Sequence, residues 1–158
     1  MSHPLDNLPT WRLNRRLIAW GGRDFWLHSF FHSLFLVAPI ALGLIERSVF
    51  DNITGATPAT LSLWTLIALY VGVGLAQLAT SFADIWAEVG FRYRTGARLR
   101  HNLLATLLRR PGALPSPVPV GEAISRYRND VAEVTDFPLW LPHVGGSLLM
   151  FVIAVVLM

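Results

Sequence analysis

The chain has 158 residues, of which 53% are hydrophobic and only 15% charged, with a formal net charge of +3, where soluble domains average about 45–50% and about 25%. That balance argues against an ordinary soluble globule, and against disorder, which needs low hydrophobicity and high net charge. Cysteine is absent, which excludes disulfide scaffolds, cysteine–zinc sites and thiol catalysis.

Residues 1–24 are expected to form an N-terminal tail followed by an interfacial elbow helix. From Leu8 to Trp20 the arginines Arg12, Arg15 and Arg16 alternate with Trp11, Leu13, Leu17, Ile18 and Trp20. Indoles at the membrane–water boundary and arginines towards anionic lipid suit a short helix at headgroup level. A disordered basic arm is the alternative. Gly21-Gly22 then breaks the element.

Residues 25–158 contain three apolar runs. Phe25 to Ile45 is 21 residues without Asp, Glu, Lys or Arg; as a helix it is about 31 Å long, matching a hydrocarbon core of about 30 Å. It is too long, and lies too far from the N-terminus, for a signal-peptide core of about 7–15 residues. Residues 46–57 read as a short outer turn. Asn52-Ile53-Thr54 matches a glycosylation acceptor, a pattern short enough to arise by chance.

The second run spans Pro58–Ala83, and no further proline occurs before Pro111. The helical pattern continues through a charged stretch to Arg110 while keeping Ile85, Val89, Leu99, Leu103 and Leu107. About 50 helical residues span about 75 Å, more than twice the hydrocarbon thickness. This predicts a helix that leaves the bilayer and continues in the cytoplasm to residue 110. Gly90 and Gly96 are points where it can bend. Pro111-Gly112 ends it, and Leu114-Pro115-Ser116-Pro117-Val118-Pro119-Val120 reads as a compact turn.

A returning cytoplasmic helix begins at Gly121, with Ile124, Tyr127, Val131 and Val134 on one apolar stripe. It leads into the third run, Phe137–Met158, whose start carries Pro138, Pro142 and Gly145-Gly146. Gly72, Gly74 and the Gly145-Gly146 pair read as sites of close helix packing. The fold class is therefore all-α membrane protein, with long transmembrane helices and cytoplasmic extensions.

All 13 basic residues are arginine. Four precede the first run, only Arg47 lies between the first and second, and eight lie between the second and third. The positive-inside rule places the N-terminus and the long second connection in the cytoplasm. The pI near 10.2 is then a topology signal, and nucleic acid is not an expected partner.

Gly121-Glu122-Ala123-Ile124-Ser125-Arg126-Tyr127-Arg128-Asn129-Asp130-Val131 resembles a characteristic segment of the transmembrane domain of type I ABC exporters. Arg98–Leu104 and Leu107–Pro111 resemble its lead-in, and Pro39–Gly43 with Val49–Asp51 resemble the end of its first span and its first outer loop. The likeness covers about residues 8–158 and implies the first half of a six-helix domain. It implies that Leu114, Pro115, Ser116, Pro117, Val118, Pro119 and Val120 form the coupling element on a nucleotide-binding domain, although three prolines do not suit a regular helix. It also implies a transmission arm carrying Gly121, Glu122, Ser125, Arg126, Asn129 and Asp130. The chain has no lysine and no G-x-x-x-x-G-K-[ST] phosphate loop, so ATP and Mg2+ are expected on a nucleotide-binding domain outside these residues. The further implied partners are the lipid bilayer of the inner (plasma) membrane, a second transmembrane half, identical or not, and a transported substrate the sequence does not name. A small membrane protein that oligomerises or scaffolds a partner is the alternative.

Two pairs of side chains merit separate mention. His28 and His32 lie four apart on one face of the first span; they can begin a zinc site, but no third ligand has diagnostic spacing, which favours a polar stripe facing the domain interior. Asp84 and Glu88 can sense protons or bind a cationic substrate; solvation at the headgroups or pairing with Arg92 is the simpler expectation. No nucleophile–base constellation supports an enzyme.

Overall fold

The structure, a computed structural model, describes residues 10–55, 61–109 and 120–157, without the side chains of Leu107, Val120, Ala123 and Arg126. Among the described residues there is no strand. The helices are α1 (Thr10–Gly21), α2 (Arg23–Thr54), α3 (Leu63–Leu108), α4 (Val120–Ser125), α5 (Val131–Asp136) and α6 (Trp140–Leu157). A π turn, Arg126–Asp130, separates α4 from α5, and a 3-10 turn, Phe137–Leu139, separates α5 from α6.

The expected break after α1 is a single residue. Gly22 has φ +49°, and its N–H donates to the Ile18 carbonyl at 2.9 Å. That is the left-handed cap for which glycine is the cheapest residue. The expected outer turn at 46–57 is largely absent, because α2 runs on to Thr54. Ser48 and Thr54 hydroxyls donate to the carbonyls four residues back, and Arg47 reaches Asp51 one turn on, at 4.0 Å. Gly55, at φ +67°, follows the last residue of α2. Pro39 lies inside α2 without ending it, as membrane helices permit.

By length and composition, Arg23–Thr54, Leu63–Thr106 and Tyr127–Leu157 can each cross a membrane, which marks the chain as a membrane protein. The 46 residues of α3 measure about 69 Å along the axis. Neither Gly90 nor Gly96 interrupts it.

The stripe predicted after Gly121 is only partly realised. Val131 is buried, Tyr127 and Val134 are half-buried, and Ile124 is exposed. The π turn widens the helix by one residue per turn, so the buried positions that follow are Val131, Thr135, Pro138 and Leu139. Pro138 sits at the start of the 3-10 turn and Pro142 in the first turn of α6, where a missing N–H costs least.

The chain divides into two compact units, Met1–Trp26 with Ala87–Leu141, and Leu27–Trp86 with Pro142–Met158. In the first, Phe25, Phe91 and Leu139 form the core with Ile18 against it. Leu17 is fully buried, and the Phe25 and Phe91 rings lie 5.8 Å apart. On α1, Asn14, Leu17 and Gly21 are buried while Arg12, Arg15 and Arg16 are exposed. In the second unit the buried residues include His28, Asp84 and Thr80, whereas Phe30, Leu75, Leu78, Phe82 and Val155 point outward. Of the glycines read as packing sites, only Gly146 is one among the described residues. A Cβ there would meet Leu36 Cδ1 at 2.8 Å, whereas one at Gly72, Gly74 or Gly145 would meet no described residue within 4 Å.

Candidate functional site

The second unit brings together the histidines of α2 and an acid of α3. His28 and His32 are one turn apart on α2, with ring centroids 5.3 Å apart. Helical spacing alone accounts for that pairing. Asp84 enters from α3: its Oδ1 lies 2.7 Å from His28 Nδ1, and its Oδ2 lies 3.0 Å from His32 Nδ1. His32 turns its other nitrogen, Nε2, towards His143 Nδ1 of α6 at 3.1 Å. One imidazole thus bridges a carboxylate and a third histidine.

Burial makes the arrangement consequential. His28 is 3% exposed and Asp84 8%. Despite their 2.7 Å separation, His28 Nδ1 and Asp84 Oδ1 are not aligned as a hydrogen bond, and among the described residues neither atom has another hydrogen-bond partner. Unpaired buried polar atoms are costly. The donor atoms of His28, His32 and Asp84 all lie within 4.8 Å of one another, a set able to relay a proton or to ligate a cation. Asp84 therefore departs from the simple expectation of solvation or pairing with Arg92: its partners are imidazoles.

Glu88, one turn further along α3, has a separate role in the first unit. Its carboxylate meets Arg92 at 2.7 Å, as the sequence suggested, and Arg92 also reaches Asp136 at 3.3 Å. In that unit Asp24, 2% exposed, is approached by Arg94 at 3.1 Å. A Cβ on Gly90 would come within 3.1 Å of Asp24 Oδ2, so the absent side chain makes room for the carboxylate. Nothing in the local spacing announces that pair, because its members are seventy positions apart.

The residues implied by resemblance fall at the return of the chain. Leu114, Pro115, Ser116, Pro117, Val118 and Pro119 lie outside the described residues, and Val120 begins α4. Gly121, Glu122 and Ser125 are exposed on α4; Arg126, Asn129 and Asp130 belong to the π turn. Asn129 Nδ2 donates to Ser125 Oγ at 3.5 Å, a long contact. The π geometry was not foreseen from sequence, since the Arg-Tyr-Arg-Asn-Asp run fits a plain α-helix equally well. Comparison of the chain with protein-family models, curated proteins and solved structures finds no match.

Proposed function

We propose that the chain is the first half of the transmembrane domain of an ATP-driven exporter of the type I ABC class. In this reading it lines part of a substrate path in the inner membrane, with its N-terminus in the cytoplasm. ATP and Mg2+ bind a nucleotide-binding domain outside these residues, and a second transmembrane half completes the path. The observation that carries the reading is α3: an apolar helix that continues as a charged one for 46 residues, about 69 Å against a hydrocarbon core of about 30 Å. A helix of that length suits a lever between a membrane path and a cytoplasmic motor.

The π turn supports the same reading, because such turns concentrate at functional positions. Here it falls on Arg126–Asp130, inside the segment that resembles the exporters' transmission arm. The test is the ATPase of the complex that the chain forms with its ATP-binding partner, fused or separate. Replacing residues 114–120 by a Gly/Ser linker is expected to abolish stimulation by transported substrate while leaving basal hydrolysis. Stimulation that survives the replacement overturns the coupling role, and absence of any associated ATPase overturns the exporter reading.

A further inference from the structure

We propose that His28, His32 and Asp84 bind one divalent transition-metal cation of the Zn2+/Co2+ type, with His143 orienting His32. The inference uses only the second unit and stands apart from the exporter reading. Four observations carry it.

The donor set comes first: two imidazole nitrogens and a carboxylate oxygen within 4.8 Å of one another. Imidazole selects zinc-like cations over Mg2+ and Ca2+, which take oxygen ligands. Two histidines with one carboxylate also leave coordination positions for water or an incoming ligand.

Orphaned atoms come second. His28 Nδ1 and Asp84 Oδ1 are buried 2.7 Å apart, and neither makes a well-aligned hydrogen bond among the described residues. A shared cation takes a lone pair from each and removes both penalties at once. Around a tetrahedral ion with bonds of about 2.0–2.1 Å, neighbouring ligand atoms stand about 3.3 Å apart. His28 Nδ1 stands 2.7 Å from Asp84 Oδ1 and His32 Nδ1 3.0 Å from Oδ2, each a few tenths of an ångström short of that spacing, while the widest separation in the set, within 4.8 Å, closes towards it when the side chains turn onto one ion.

Charge is the third. Arg47 is the one arginine in the sequence of the second unit, and it pairs with Asp51. Within the second unit, the counter-charges open to buried Asp84 are a protonated imidazole and a bound cation. Finally, His32 is already held from behind. When its Nε2–H donates to His143 Nδ1, across 3.1 Å, its Nδ1 lone pair is free for a metal, which then replaces the direct contact with Asp84 Oδ2 at 3.0 Å. Such outer partners commonly fix the ligand histidine of a metal site.

The experiment uses the 158-residue chain, purified without a histidine tag, stripped with chelator and placed in lipid nanodiscs. Titration with Co2+ is followed by its visible absorption, competed with Zn2+, and checked by elemental analysis. One ion per chain is expected, with binding at least tenfold weaker in Asp84→Asn and in His32→Gln. His143→Gln is expected to weaken binding by about 10–100-fold, and Glu88→Gln to bind as the unaltered chain does. No stoichiometric Co2+, or Asp84→Asn binding unchanged, overturns the site and leaves a hydrogen-bonded relay. Equal loss in Glu88→Gln overturns it as well. Should the ligand variants lose helix content, the unaltered chain decides alone: added Zn2+ must raise its melting temperature, and an unmoved melting temperature overturns the proposal. None of these results bears on ATPase coupling, so the two readings fail separately.

Discussion

Gly21 shows how a single hydrogen atom can hold a core together. A Cβ there would overlap the Phe91 ring, and Phe91 is fully buried, so the ring cannot swing into solvent. Gly21→Ala is expected to destabilise the chain by about 1–3 kcal/mol, the usual cost of overpacking. Gly72→Ala, whose Cβ would meet no described residue within 4 Å, is expected to be neutral or to stabilise by up to about 1 kcal/mol through helix propensity. Thermal unfolding in one detergent measures both, and a Gly21→Ala chain as stable as Gly72→Ala would contradict the packing described. In sequence these glycines look alike, and only Gly21-Gly22 was legible, as a break. The candidate site was half legible for a related reason. His28 and His32 announce themselves by helical spacing, but Asp84 comes from 52 positions after His32 and His143 from 111. Those separations carry no local signal.

At the scale of elements, local spacing served better where one period held throughout. The apolar runs predicted α2, α3 and α6 because about 20 uncharged, mainly apolar residues in a row are enough to recognise a span. Local spacing misjudged where α2 stops, since Ser48, Asp51 and Thr54 look like turn residues yet bond within the helix. It also misplaced the stripe after Gly121, because a π turn alters the period without altering composition. Long-range ion pairs were beyond its reach. Arg94 on α3 meets Asp24 in the first turn of α2, where the helix dipole already favours a carboxylate. Arg94 is 59% exposed at its side chain and Asp24 only 3%, so the two contribute unequally: removing the arginine strands a buried acid. Arg94→Met is expected to cost about 1–3 kcal/mol. Adding Asp24→Asn to Arg94→Met is expected to recover part of that loss, since the neutral amide needs no counter-charge. Denaturation of the two variants checks this, and an additive loss would show that the pair is not coupled.

For the molecule as a whole, the distribution of apolar surface determines the solvent. In the most apolar 18-residue windows of the three long helices only 6%, 6% and 17% of residues are buried. In the second unit His28, Thr80 and Asp84 are enclosed, while Phe82, Leu75 and Val156 are 74%, 62% and 78% exposed. In water that inventory would be inverted, because each exposed large side chain forfeits about 1.5–3 kcal/mol of burial. In lipid it is the expected arrangement, since hydrocarbon replaces protein as the apolar neighbour and polar groups turn inward. The chain is therefore expected to stay with membranes through alkaline washing and to leave them only with detergent. Arginine placement gives the orientation to be tested: the segment between α2 and α3 carries no arginine, whereas eight lie between the second and third apolar runs, and the positive-inside rule expects the latter in the cytoplasm. With no native cysteine to interfere, Ser116→Cys is expected to react with a membrane-impermeant maleimide only in inside-out vesicles, and Thr54→Cys only in right-side-out ones. Labelling of Ser116→Cys from the outer face would reverse the topology. It would also overturn the proposed exporter reading, because the charged half of α3 would then extend on the side where no ATP is supplied and could not act as the proposed lever.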